Sequence, residues 1–234
     1  MSIADKTVLI TGASRGIGQA LTDEAVRRGA GRVYAAARRP GSYPDERVTP
    51  LRMDVTDAAQ IRAAAERVGS LDVLVNNAGL ALFEGLGDRA TLERHLAVNL
   101  FGTYAVTEAF LPQLTSSRGA IVNNLSLNSL APLPPLAAYS VSKAAAFSLT
   151  QSLRTSLAER GVRVHAVLTG PTDTDMVRGL DIPKASAESV ARAIFDAVDR
   201  GEEDIFPDPV AQSLADGWRN GAVKAFERQL AQVR

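Results

Sequence analysis

Short β-branched, apolar runs alternate along the chain with longer segments whose apolar positions recur every three to four residues. TVLIT at 7–11, RVYAA at 32–36 and LDVLV at 71–75 are runs of the first kind, as expected of strands buried on both faces. Residues 48–53, 120–125, 163–168 and 204–206 read the same way. Between the first two runs, Ile17, Ala20, Leu21, Ala25 and Val26 share one helical face, and Gly29 and Gly31 close that helix. Further helices are expected over 58–68, 92–111, 186–199 and 208–231, and around Tyr139 and Lys143. Strands and helices in strict alternation predict one α/β domain over 1–234, a doubly wound parallel sheet of about seven strands with helices on both faces. No linker, repeat or low-complexity tract divides it.

Ligands of such sheets lie beyond the carboxyl ends of the strands, and that is where the chemistry-bearing residues fall. The first strand runs into TGASRGIG, with glycines at 12, 16 and 18. Strand, glycine turn and helix N-terminus together form an anion site of the Rossmann type, although the spacing is not GxGxxG. Gly12, Ser14, Arg15, Gly16, Ile17 and Gly18 are its candidate residues. The second strand ends in Ala37, Arg38 and Arg39, with no carboxylate for a ribose 2′-OH. Arg15 is expected to reach the same place. Guanidiniums there suit a 2′-phosphate, which favours NADP(H) over NAD(H); solvated surface arginines are the alternative. Asp54, followed by Val55 at the third strand's end, is placed to accept from an adenine amino group, with Thr56 and Asp57 better suited to cap the next helix. Asn76, Asn77, Ala78 and Gly79 follow the fourth strand; the small residues let backbone approach a ligand, and the asparagines can tie neighbouring loops together.

A second constellation lies further on. Tyr139 and Lys143, four residues apart, share one helix face. An ammonium beside a phenol favours the phenolate, so the Tyr139 pKa is expected to fall toward neutrality, as suits a general acid or base. Ser126, across a Pro/Leu loop, can hydrogen-bond the same substrate oxygen. The three make a carbonyl/alcohol site if a nicotinamide cofactor carries the hydride. Asn99 is a poor helix former placed mid-helix; it is either a surface residue or the mark of a kink that holds a water near Lys143. His95 and His165 read as structural.

Composition narrows the partners. Lys+Arg and Asp+Glu are both 26, a zero net charge that argues against nucleic acid and anionic membrane. There are no cysteines and two histidines, so no metal site is expected. No apolar run is long enough to span a membrane, the N-terminus does not read as a signal peptide, and a cytoplasmic protein is expected.

TGASRGIG, NNAG at 76–79, Asn99, Ser126 and the Tyr139/Lys143 pair, all in order, resemble the TGxxxGxG, NNAG, tetrad and YxxxK motifs of the compact short-chain dehydrogenases/reductases. The resemblance runs from about residue 6 to 176. It implies hydride transfer between NADP(H) and a carbonyl or secondary alcohol. Tyr139 would donate or accept the proton, Ser126 orient the substrate oxygen, Lys143 lower the Tyr139 pKa and bind the nicotinamide ribose, and Asn99 hold a relay water. Backbone near Thr172 and the Thr174 side chain would hold the carboxamide, and a homodimer or homotetramer would form through the long helices. The chain departs from the pattern in three places. Thr169 precedes Gly170 where Pro is usual; Asn124 replaces Val or Ile, with Asn128 just past Ser126; and the segment 177–183 is brief, which predicts an open site.

Leu80, Leu82, Phe83, Leu127, Leu130, Leu133, Leu136, Met176 and Leu180 are the expected pocket residues, and they suit an apolar ketone or aldehyde. A non-catalytic NADP(H)-sensing protein is the alternative, but it has no need of all four tetrad residues. A nucleotide-sugar epimerase or dehydratase would have a longer C-terminal part and a differently spaced glycine loop.

Overall fold

The computed structural model describes residues 1–179 and 181–231. Its strands are β1 (Thr7–Thr11), β2 (Arg32–Ala37), β3 (Val48–Arg52), β4 (Val73–Asn76), β5 (Ala120–Asn124), β6 (Arg163–Val167) and β7 (Asp204–Ile205). All pair in parallel, in the order β3-β2-β1-β4-β5-β6-β7. The order reverses between β1 and β4, and this switch opens a crevice at their carboxyl ends.

Helix α1 (Gly16–Arg27) covers one face, α2 (Ala58–Val68) the other. The alternation of side chains along a strand divides the core accordingly. Val8, Ile10, Val33 and Ala35 pack toward α1 and α6 (Ala187–Arg200), with Phe195 fully buried in that layer. Leu9, Leu74 and Ile121 pack toward α2 and α4 (Thr103–Ser117), where Phe110 is fully buried. Each fully buried side chain of this size contributes about 2 kcal/mol. No described helix is long and apolar enough to cross a membrane.

Two expected helices are interrupted. The segment read as 92–111 is α3 (Arg89–Leu96), a π-helical stretch Ala97–Gly102 around Asn99, and then α4. The segment read as 208–231 breaks at Asn220 and Gly221 into α7 (Pro209–Arg219) and α8 (Ala222–Leu230). At that break a Cβ on Gly221 would lie 2.6 Å from the Gly217 carbonyl oxygen. Helix α8 docks by its polar side: buried Lys224 meets Asp204 of β7 at 2.7 Å, and Arg154 of α5 (Ala137–Leu157) holds the same carboxylate at 2.7 Å.

Candidate active site

The glycine turn after β1 is a cradle made by backbone contact. Gly12 and Gly16 take φ of +67 and +55, conformations that suit glycine. A Cβ on Gly12 would lie 2.9 Å from Ala78 Cα, and one on Gly18 only 2.1 Å from the Gly12 carbonyl oxygen. Gly16 abuts Thr174, whose Cγ2 would be 3.1 Å from an added Cβ. The turn is tied to the NNAG segment, since Thr11 Oγ1 accepts the Asn77 and Ala78 amides at 3.0 and 2.9 Å. Asn77 Nδ2 returns bonds to the Thr11 and Gly12 carbonyls at 3.0 and 3.3 Å. Tyr43, which the sequence did not single out, braces the loop by donating to the Ala13 carbonyl at 2.8 Å. No side chain caps α1, so its first amides are left for an anion.

Every residue assigned above to cofactor binding lines one cleft of about 1050 Å³, together with Ser126. Asn99 does not line it. Asp54 keeps its carboxylate at the cleft, accepting from Thr56 N–H and Oγ1 at 3.0 and 2.8 Å, and Asp57 is the cap of α2. Arg38 and Arg39 are exposed at the end of β2. Arg15 differs from expectation: its Nη1 meets Asp175 Oδ2 at 2.9 Å, so this guanidinium turns to the loop after β6, where a carboxylate is available.

Tyr139 opens α5 and Lys143 follows one turn later; both are buried. Lys143 Nζ donates to the Asn124 carbonyl at 2.8 Å and lies 5.7 Å from the Tyr139 ring centroid. Burial pushes Lys143 down to about 8. Burial also pushes Tyr139 up to about 12, against a smaller downward pull from a Ser126 hydrogen bond. This corrects the expected fall of the tyrosine: in the bare cleft desolvation of the buried phenol sets the direction. Ser126 begins a short turn after β5 and accepts the Asn128 amide at 3.1 Å, which gives Asn128 a place in the site.

Asn99 is buried in the π-helical stretch, not on the surface. Its Oδ1 accepts Leu80 N–H at 2.8 Å, and its Nδ2 donates to Leu80 O and Ser142 Oγ at 2.9 and 2.8 Å. A Cβ on Gly79 would stand 3.5 Å from Asn99 Oδ1 and 3.7 Å from Lys143 Nζ, so these two groups flank one glycine.

His95 is buried and its ring meets Tyr139 edge-on at 6.4 Å. Nε2 lies 3.1 Å from the Leu82 amide, which can only donate, so Nδ1 carries the proton given to Thr91 O at 2.8 Å. Asp208, also unforeseen, accepts the Gly170 amide at 2.7 Å while capping α7. Its place before Pro209 signals the cap, but nothing local signals the bond to Gly170.

Leu80, Phe83, Leu127, Leu133, Leu136 and Met176 line the cleft as expected, and Ile182 and Val210 join them. Leu82 and Leu130 do not; Leu130 packs instead on the cluster containing Phe147. Leu180 lies outside the described residues.

The arrangement fits a nicotinamide dinucleotide. Its glycines let the turn pack closely on Asn77, Ala78 and Thr174, the uncapped first amides of α1 are left for a pyrophosphate, and the Tyr139/Lys143 pair stands in the same cleft. The comparisons agree. The short chain dehydrogenase family matches residues 6–184. Oxidoreductase UcpA of Salmonella typhimurium is 33% identical over 213 residues, 82% of this chain and 81% of that protein. A sorbitol dehydrogenase of Cereibacter sphaeroides is 34% identical over 205 residues, 82% of this chain and 80% of its own. A short chain dehydrogenase from Burkholderia cenocepacia, solved in complex with NADP, superposes with a TM-score of 0.88 at 36% identity, covering 97% of this chain and 99% of that one. The fold, the motif order and these relatives agree, and the chain belongs to the short-chain dehydrogenase family of oxidoreductases.

Proposed function

We propose that the protein is an NADPH-dependent reductase that converts an apolar ketone or aldehyde to its alcohol, with Tyr139 as the proton donor. The observation that carries this reading is that Tyr139, Ser126 and Lys143 line the same cleft as the glycine cradle. A nicotinamide cofactor bound in the cradle supplies the hydride. The rest is done by the chain's own groups. The Ser126 hydroxyl donates to the carbonyl oxygen and fixes its position. The Tyr139 phenol gives that oxygen a proton as negative charge develops on it. Burial keeps the phenol protonated at neutral pH, the form reduction requires. The Lys143 ammonium, fixed on the Asn124 carbonyl, stabilises the phenolate left behind. Asn99 acts from behind by holding Leu80, and His95 by bracing the Tyr139 ring.

The preference for NADPH is supported by Arg38 and Arg39 on the cleft at the end of β2, where no carboxylate stands to hold a 2′-OH. The apolar lining supports the substrate class. Phe101, Tyr104 and Val141, exposed on the π-helical stretch, α4 and α5, support a homodimer or homotetramer assembled through these helices.

The test is oxidation of NADPH and of NADH against apolar ketones, aldehydes and β-keto esters, followed by near-ultraviolet absorbance. Turnover is expected with NADPH, little with NADH, and its loss in Tyr139→Phe with NADPH binding retained. A Tyr139→Phe protein that turns over as the wild type does, or charged oxoacids that outcompete apolar ketones, would overturn this reading in its mechanism or its substrate class respectively.

A further inference from the structure

Asn124 and Thr169 are two separate departures from the family's sequence pattern, and in the structure they meet. Thr169 Oγ1 donates to Asn124 Oδ1 at 2.7 Å, and Asn124 Nδ2 donates to Asn77 Oδ1 at 2.9 Å. Asn77 continues to the Thr11 and Gly12 carbonyls. One chain of side-chain hydrogen bonds therefore crosses from the loop after β6, past β5 and β4, to the glycine turn after β1.

The main chain of Asn124 shows what this crossing holds. β4 and β5 pair only as far as Asn76 opposite Asn123. The next amides of that strand, Asn77 and Ala78, turn to Thr11 Oγ1. A parallel ladder would have used one of them for the Asn124 carbonyl. That carbonyl accepts Lys143 Nζ at 2.8 Å instead. Its direction is set by a residue whose side-chain amide is tied at both its oxygen and its nitrogen. Val or Ile at this position has no such tie. The titratable group facing Lys143 is the Tyr139 phenol, and among the described residues no carboxylate pairs with the ammonium.

We infer that Asn124 and Thr169 act as one positioning pair for Lys143, fixing the carbonyl that holds its ammonium and joining the loop after β6 to the glycine turn. The inference takes its catalytic meaning from the reductase reading above, but the pair's grip on the ammonium can be measured without it.

The experiment uses the full chain as wild type, Thr169→Val, Thr169→Ser, Asn124→Leu and the Asn124→Leu/Thr169→Val double variant. Three readouts are taken: the pH titration of the Lys143 Nζ resonance in cofactor-free, ¹⁵N-lysine-labelled protein; kcat and KM with NADPH and an apolar ketone; and the melting temperature. Thr169→Val is expected to move the Nζ titration to lower pH, because a looser acceptor favours the ammonium less. It should lower kcat about tenfold with the ketone KM nearly unchanged. Thr169→Ser, which keeps the hydroxyl, should recover most of that loss. The double variant should lose no more than Asn124→Leu alone, because both residues act through one carbonyl. Unchanged titration and kcat in Thr169→Val, with only the melting temperature lowered, would show a merely structural pair and overturn the inference. If the wild type turns over no carbonyl while the Nζ titration still moves in Thr169→Val, the positioning pair stands and the reductase reading falls.

Discussion

Lys143→Met should make the cofactor-free protein more stable. The ammonium is buried with one hydrogen-bond acceptor at 2.8 Å and, among the described residues, no carboxylate partner. Burial holds it down to about 8, against 10.5 for an exposed lysine. Below about pH 8 the folded and unfolded chains both carry the proton, and the folded chain bears the whole desolvation cost. At about 1.4 kcal/mol per unit of displacement, that cost is about 3 kcal/mol. Methionine removes it while filling similar space, but leaves the Asn124 carbonyl without its donor, which gives back about 1 kcal/mol. The net gain is about 2 kcal/mol at neutral pH, or roughly 4–8 °C in Tm for a chain of this size.

The pH dependence gives this prediction its sign. The folded pKa lies below the unfolded one, so between about 8 and 10.5 the unfolded chain binds more protons, and wild-type stability rises with pH across that window. The advantage of the variant should therefore shrink from pH 8 upward. Tyr139 titrates the other way: its folded pKa is raised from 10.0 to about 12, so the stability it contributes is complete below 10 and is lost only above it. Scanning calorimetry of both proteins from about pH 7 to 10 isolates the lysine. A variant less stable than wild type near pH 7, or a Tm difference that stays flat across the range, refutes the reasoning.

Three further perturbations follow from the geometry. Gly18→Ala puts a Cβ 2.1 Å from the Gly12 carbonyl oxygen, so the turn must move; overpacking of about 1–3 kcal/mol predicts roughly 10- to 100-fold weaker NADPH binding by fluorescence titration. Asp175→Ala releases Arg15, an exposed partner, and should tighten NADPH about two- to threefold while leaving NADH unchanged in the same titration. Asp204→Ala leaves the Trp218 indole N–H without its acceptor and removes one carboxylate from Lys224 and Arg154, which Glu227 still holds at 3.0 and 2.7 Å; it should cost about 2 kcal/mol, or roughly 4–8 °C in a thermal melt.

Much of the fold was legible because its determinants are local. Apolar runs placed each strand to within a residue or two, and the period of residues 58–68 matched α2 at both ends. The misses have non-local causes. Asn99 marked a kink as one of two readings, but not its π-helical form, which accompanies bonds to Leu80 and Ser142, 19 and 43 residues away. The turn signal of Asn220-Gly221 was present, but the apolar period continued through it and masked the break between α7 and α8. In the site, the glycine turn, NNAG and the Tyr139/Lys143 spacing are short-range motifs and could be read. Asn124 could not, since its partners Asn77 and Thr169 lie 47 and 45 residues away and become neighbours only through the sheet. The expected fall of the Tyr139 pKa failed for a related reason: spacing shows that a lysine is near, but not how deeply both groups are buried.

These misses share one physical origin. A parallel sheet satisfies its backbone until the strands diverge, and beyond that point each buried amide and carbonyl needs another partner. Here the divergence comes at the carboxyl ends of β1, β4, β5 and β6. Thr11 Oγ1 takes two amides of the NNAG segment, Asp208 takes that of Gly170, and Lys143 serves the Asn124 carbonyl. Of these three partners, Thr11 is a neutral hydroxyl and Asp208 caps the N-terminus of α7. The third is a buried ammonium, and it is the one whose burial costs stability. A neutral donor at position 143 would satisfy the same carbonyl at lower cost, so stability alone does not account for a lysine there. In the proposed reduction, the charge is what a phenol giving up its proton requires. On the proposed reduction, Lys143→Met should therefore gain stability and lose activity together, since the ammonium that costs the fold is the one that serves Tyr139.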